Sequence, residues 1–304
     1  MTAGVKSPAS YLDPVVLARM QNLQLRAQTV VEGFIAGLHQ SPFRGFSVEF
    51  AQHREYSIGD ELKHIDWKVY GRTDRFYVKQ FEEETNLRVY MLLDASGSMA
   101  FKGEKSALSK YDYGATIAAS LAYLVLHQGD SAGLGAFNES RVDLIPPRNS
   151  FSHLNVIVGE LEKKRPEGRT TLARSLETVA HSLKKRSLII LISDLMDETD
   201  SVLRALKFLQ FKKHELIVIH LLDREEREFP YSGSVRFDSL EGQEGLVLDC
   251  DAYRKDYRAA VDDFIERYRL TMRNSGVQYD CHATDEPPDR MLQSVFNARS
   301  RSLR

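Results

Sequence analysis

Apolar residues at Val16, Met20, Leu23, Ala27, Val30, Val31, Phe34 and Leu38 recur every three or four positions, which predicts one amphipathic helix over residues 15–38. Asp13 and Pro14 offer that helix an N-cap and a first-turn residue. From Phe46 to Glu84 the pattern becomes mixed and charged, and Gly59 and Gly71 punctuate short stretches. Irregular structure with short strands is expected there.

After residue 88 the pattern changes to apolar runs alternating with amphipathic ones. Strands are expected at 89–93, 132–137, 141–144, 188–192, 216–221 and 278–283. Helices are expected at 111–128, 151–163, 171–184, 201–212, 253–273 and 289–299. Continuous Val, Ile and Leu strands between helices imply an α/β fold, a doubly wound, mainly parallel sheet covered on both faces. Only about four residues separate the 132–137 and 141–144 strands, too few for a crossover, so the second is read as an antiparallel edge strand. Val235–Phe237 and Leu246–Leu248 flank the string SLEGQEG as a hairpin-like insertion. The organisation expected is an N-terminal helical and irregular segment over 1–84 and a sheet domain over 85–304.

In an open doubly wound sheet, ligands bind outside the carboxyl ends of the strands, near the point where the strand order reverses. The polar residues that follow each apolar strand are therefore the ones to examine. The run VYMLLD passes directly into ASGSM, LIILIS passes into Asp194, and the loop before the 171–184 helix reads EGRTT. Asp94, Ser96, Ser98, Thr170 or Thr171, and Asp194 should share one rim. Such an all-oxygen set suits a hard divalent cation, Mg²⁺ first and Mn²⁺ second, better than zinc. Two carboxylates would balance the ion's charge and leave it electrophilic toward an acidic residue of a partner. Taken alone, the string D-x-S-x-S is more often a polar turn whose serine caps the next helix. The threonine loop and the second strand-end aspartate tip the reading toward metal.

Composition narrows the field. The chain has 304 residues, with 41 Lys and Arg against 43 Asp and Glu, so no bulk positive charge recruits nucleic acid. Its two cysteines, Cys250 and Cys281, match no thiolate metal pattern and read as free thiols. The strongly apolar run at 188–192 falls far short of the roughly 20 residues that cross a bilayer. The opening MTAGVKSPASYLDP shows no apolar run behind a basic start, so a cytoplasmic location is expected, with docking to membrane-associated partners left open.

Longer strings carry a resemblance. LLDASGSM, GRTTL and LISDL resemble the metal-ion-dependent adhesion site of a von Willebrand factor type A domain. Upstream, FRGFSVEFAQHREYSIGDELKHIDWKVYGRTDRFYVKQFEEE, spanning 43–84, resembles the signature of domain of unknown function 58. The resemblance implies a Rossmann-like sheet of about six strands with one antiparallel edge. It implies metal ligation by Asp94, Ser96, Ser98, Thr170 and Asp194. It also implies a MoxR-type AAA+ ATPase as partner, in the assembly or activation of other proteins. Arg169 stands where many relatives carry a second glycine, which keeps Thr171 in view as a replacement ligand.

Two other readings were weighed. His53, Asp60, His64 and Asp66 lie close in sequence, but their spacings match no common metal-ligand pair, and Trp67 beside Ile65 suggests packing. A Mg²⁺-dependent phosphohydrolase using Asp94 as nucleophile is the alternative function, although the second acid such enzymes often carry two residues on is here Ser96. A serine hydrolase would want G-x-S-x-G between strand and helix, but Ser96 follows Ala95 with Asp94 two before it and Ser98 is followed by Met99, and no GxxxxGK[ST] occurs, so neither a serine hydrolase nor an ATPase is expected. The expected role is a non-catalytic, metal-dependent interaction module.

Overall fold

The computed structural model describes residues 12–40, 54–55, 77–78, 87–138, 141–169, 171–242 and 244–302. The chain forms two compact units, one of residues 1–37 with 87–304 and one of residues 38–86. In the smaller unit the described residues form a two-stranded antiparallel ladder, β1 (Arg54–Glu55) against β2 (Tyr77–Val78). The rest of the 43–84 signature, with His53, Asp60, His64, Asp66 and Trp67, lies outside the described residues.

The expected first helix is two helices, α1 (Pro14–Ala18) and α2 (Leu23–Gln40). Asp13 caps α1 through Val15 N–H at 2.8 Å, with Pro14 in the first turn. The break has a local cause. Asn22 Oδ1 accepts from Leu25 N–H at 2.8 Å and starts a second helix, while Arg26 Nη2 donates to Met20 O at 2.7 Å. The apolar spacing runs across the break and hides it. Ala27, Val30, Val31 and Phe34 are buried, and Arg26 Nη1 reaches Thr116 Oγ1 at 3.1 Å, so α2 is anchored in the larger unit.

That unit is built on six strands: β3 (Arg88–Asp94), β4 (Ser131–Asn138), β5 (Arg141–Arg148), β6 (Leu188–Ser193), β7 (Glu215–Leu222) and β10 (Gln278–Ala283). They lie in the order β10-β7-β6-β3-β4-β5, and every pairing is parallel except β4 with β5. This is the doubly wound, mainly parallel sheet with one antiparallel edge that the hydrophobic pattern predicts. Strand order reverses between β3 and β6, which pair from Val89↔Leu188 to Leu93↔Ile192.

Alternate side chains of β3 feed two cores. Tyr90 and Leu92 pack with Ile189, Leu191 and Val218 beneath α5 (Leu172–Ser182), α6 (Thr199–Phe211) and α8 (Cys250–Asn274). On the opposite face α3 (Lys110–His127) lies close to the sheet. A Cβ on its Gly114 would come within 2.8 Å of Leu93, 3.2 Å of Ile192 and 3.3 Å of Leu221. α4 (Phe151–Lys163) packs beside α3, and α9 (Pro288–Ser302) follows β10.

Edge strand β5 continues to Arg148, past the expected end at residue 144, and runs through Pro146 and Pro147. An edge strand tolerates prolines because one of its sides needs no ladder donors. The β4–β5 register shifts between Ala132 and Leu134, where a Cβ on Gly133 would lie 2.7 Å from Ile145 O. Beyond β7 a short helix, α7 (Arg224–Glu228), was not anticipated. Its capping box is plain in the sequence as D-x-x-E, with the Asp223 and Glu226 side chains exchanging backbone hydrogen bonds across the first turn. The insertion is the antiparallel hairpin β8 (Ser234–Phe237) and β9 (Leu246–Asp249). No helix among the described residues is long and apolar enough to cross a membrane.

Candidate metal centre

β3 and β6 end side by side at the reversal of strand order, and each delivers an aspartate to the same buried spot. Asp94 is 3% exposed and Asp194 1%. Asp94 Oδ1 accepts from Ser96 N–H at 2.9 Å, and Asp94 Oδ2 from Ser193 Oγ at 2.6 Å. Ser96 Oγ and Ser98 Oγ lie 3.0 Å apart, and the Ser98 side chain hydrogen-bonds to Asp194. Asp194 Oδ1 accepts from Met196 N–H at 3.2 Å, and Asp194 Oδ2 accepts from Lys110 Nζ at 2.7 Å. Of the five expected ligands, the structure brings Asp94, Ser96, Ser98 and Asp194 together.

Thr170 lies outside the described residues, but the loop that carries it is tied to the centre. Gly97 N–H donates to Gly168 O at 2.8 Å, and Glu167 N–H donates to Ala95 O at 3.1 Å. Gly168 turns the loop with a φ of 71°, a conformation that suits glycine. Thr171 is exposed at the head of α5, and its hydroxyl makes no capping bond to that helix. Ala173 N–H there donates to Asp197 Oδ2 at 3.3 Å.

Lys110, the first residue of α3, is fully buried and donates to Glu226 Oε1 at 2.6 Å as well as to Asp194. Burial alone would lower its pKa, but the two carboxylates outweigh that and raise it. Burial pushes the Asp94 carboxyl up to about 7, and the neighbouring Asp194 charge adds to the shift. Burial would push Asp194 up too, yet the Lys110 ammonium and hydrogen bonds from Lys110, Ser98 and Met196 hold it below the usual range. Lys110 thus pairs with Asp194 and Glu226, while both Asp94 oxygens meet neutral donors, and burial raises Glu226 as it does Asp94.

Three carboxylates against one ammonium leave two negative charges over, and that surplus is the test of a cation's fit: protons or a further positive charge must offset it. The donors facing the spot are carboxylate and hydroxyl oxygens, hard ligands suited to Mg²⁺ or Mn²⁺. Among the described residues no three His, Cys, Asp or Glu side chains converge as a metal cage, so the set present is Asp and Ser.

Further residues of this rim escaped the sequence reading. Lys110 gave no signal, because a lysine opening a helix reads as a solvated charge. Asp223 should have been flagged by the rule that found Asp94, since it follows an apolar strand. It faces Gly103 N–H at 3.0 Å, Ser106 Oγ at 2.5 Å and Thr284 Oγ1 at 3.2 Å, and so anchors a loop away from the metal spot. Glu241, in the turn between β8 and β9, is half-buried over the centre. Burial raises its pKa and the Asp194 charge adds to that, while Arg169, Lys110 and a hydrogen bond from the Ser98 backbone act against it.

Comparison with known proteins adds the following. The family described as Protein of unknown function DUF58 matches residues 52–266. An uncharacterized protein of Mycobacterium tuberculosis is 25% identical over 272 residues, covering 87% of this chain and 83% of that one. The uncharacterized protein YeaD of Bacillus subtilis is 26% identical over 111 residues, covering 36% of this chain and 25% of its own length. Among solved structures, BatB of Bacteroides thetaiotaomicron aligns with a TM-score of 0.47 and 14% identity, covering 70% of this chain and 99% of that one. The SpRpn10 VWA domain aligns with a TM-score of 0.39 and 8% identity, covering 67% and 92%. The fold itself rests on the strand order given above.

Proposed function

This chain belongs to the DUF58 family, and from that premise we propose that it is a non-catalytic, divalent-metal-dependent protein–protein interaction module. It works in the cytoplasm with a MoxR-type AAA+ ATPase, in the assembly or activation of other proteins. The observation that carries the metal reading is the convergence of Asp94, Ser96, Ser98 and Asp194 at the reversal of strand order, where three carboxylates, Glu226 included, face one ammonium. The ATPase partner is what the family resemblance implies. Free Cys250 and Cys281 suit a reducing compartment.

Asp94, Ser96, Ser98 and Asp194 would hold the cation, Mg²⁺ in the first instance, and Thr170 joins them by resemblance. When bound, the ion supplies an electrophilic point of attachment for an acidic side chain of a partner. Ser193 and Ser96 N–H fix both oxygens of Asp94, and Lys110 fixes Asp194.

The test is affinity purification of the full chain from its native cell, once in Mg²⁺ and once in EDTA, alongside a variant carrying Asp94→Ala and Ser96→Ala. A partner retained in Mg²⁺ and lost in both other arms supports the reading. Equal retention in all three overturns it.

A further inference from the structure

The β8–β9 turn crosses the metal centre with backbone and side chain together. A Cβ built on Gly97 would lie 2.4 Å from Leu240 O and 3.1 Å from Leu240 C, so the turn rests directly on the loop that carries Ser96 and Ser98. The next residue, Glu241, takes a hydrogen bond from the Ser98 backbone and sits within electrostatic range of Asp194, Arg169 and Lys110. Its position is odd for a solvated acid. Glu241 is half-buried while Leu240 and Gly242 on either side of it are exposed, and Asp194, a like charge, is among the groups that act on it.

We infer that Glu241 is a resident occupant of the rim: it takes the position that an acidic residue of a partner would take, and the 238–242 turn must lift before such a partner can engage. This rests on the metal reading above and deepens it. A cation beside Asp94 and Asp194 converts Glu241 from a repelled neighbour into an attracted one, so metal should clamp the turn down. Arg169 and Lys110 are the positive charges that act on this carboxylate. The rim's competence toward partners is then set by two coupled events, entry of the ion and departure of Glu241.

The test uses the full-length chain and Mn²⁺ as the probe, with binding followed by calorimetry and the turn followed by hydrogen exchange of its amides. Wild type should bind Mn²⁺, and the metal should slow exchange across 238–242 several-fold. Glu241→Gln should still bind, about tenfold more weakly, and its turn should exchange at the same rate with and without metal. If the metal leaves exchange of the wild-type turn unchanged and Glu241→Gln binds like wild type, the inference is overturned and the metal site stands. If wild type takes up no Mn²⁺ at millimolar concentration, the metal reading fails and this inference falls with it. Circular dichroism of Glu241→Gln confirms that a weaker affinity does not come from unfolding.

Discussion

Lys110 Nζ sits 2.7 Å from Asp194 Oδ2 with both side chains sealed from solvent, so a built-in ammonium already holds one of the two carboxylates that a cation would need. The same nitrogen holds Glu226 Oε1 at 2.6 Å. Lys110 thus holds two carboxylates at once, and a cation bound as proposed would share the centre with an ion pair already in place.

Removing the ammonium should make folding depend on metal. Lys110→Met leaves Asp194 and Glu226 without their counter-ion, a change that costs about 3–5 kcal/mol for ion pairs of this kind. Urea denaturation in EDTA should show a loss of that order, and millimolar Mg²⁺ should return part of it. Equal stability of variant and wild type in EDTA would show that the pair carries no weight.

Protons should compete with metal at Asp94. Its carboxyl, pushed to about 7 from an ordinary 3.8, gains a proton in the folded protein over a range where the unfolded chain has none. In metal-free protein the contribution of Asp94 to stability is complete below about pH 4 and is lost as pH rises through 7. Mn²⁺ affinity runs the other way, flat above pH 7 and falling roughly tenfold per unit below it. Calorimetric titrations at pH 6, 7 and 8 read this directly, and a pH-independent affinity would rule it out.

Gly97 should tolerate no side chain. Alanine there must push Leu240 O away from 2.4 Å, and the obstacle is backbone, which yields less readily than a side-chain tip. Gly97→Ala is expected to cost about 1–3 kcal/mol and to speed hydrogen exchange in the 238–242 turn, with every ligand residue still in place. Unchanged exchange there would mean that the turn does not lean on this loop.

Asp223 should act as a hub for the loop leading into Lys110. It is fully buried and accepts from Gly103 N–H, Ser106 Oγ, Thr284 Oγ1 and Glu225 N–H. Asp223→Ala leaves several buried donors unpaired, at about 1–3 kcal/mol each, so a thermal melt should show a large fall or outright failure to fold. Asp223→Asn, which keeps an acceptor, should fall between the two.

Much of this was legible in the chain because strands buried on both faces announce themselves. VYMLLD and LIILIS could belong only to the centre of a covered sheet, and their last residues had to emerge at one rim. Short-range hydrogen bonding was harder to foresee. The break between α1 and α2 hinges on one Asn22 side chain, and α7 on a capping box that apolar periodicity does not register. Harder still were contacts that join distant segments. Lys110 meets Asp194 across 84 positions, and Leu240 reaches Gly97 from an insertion whose own sequence shows only a turn. Charge alone could not say that one lysine is buried and its neighbours are not.

The paired prolines of β5 bear on how the molecule keeps company with its own kind. Pro146 and Pro147 lack the amide hydrogens that a docking strand would read, and the shifted register at Gly133 bends the ladder just where such a strand would align. At those two positions the border offers a docking strand no donors, which disfavours strand-to-strand growth there.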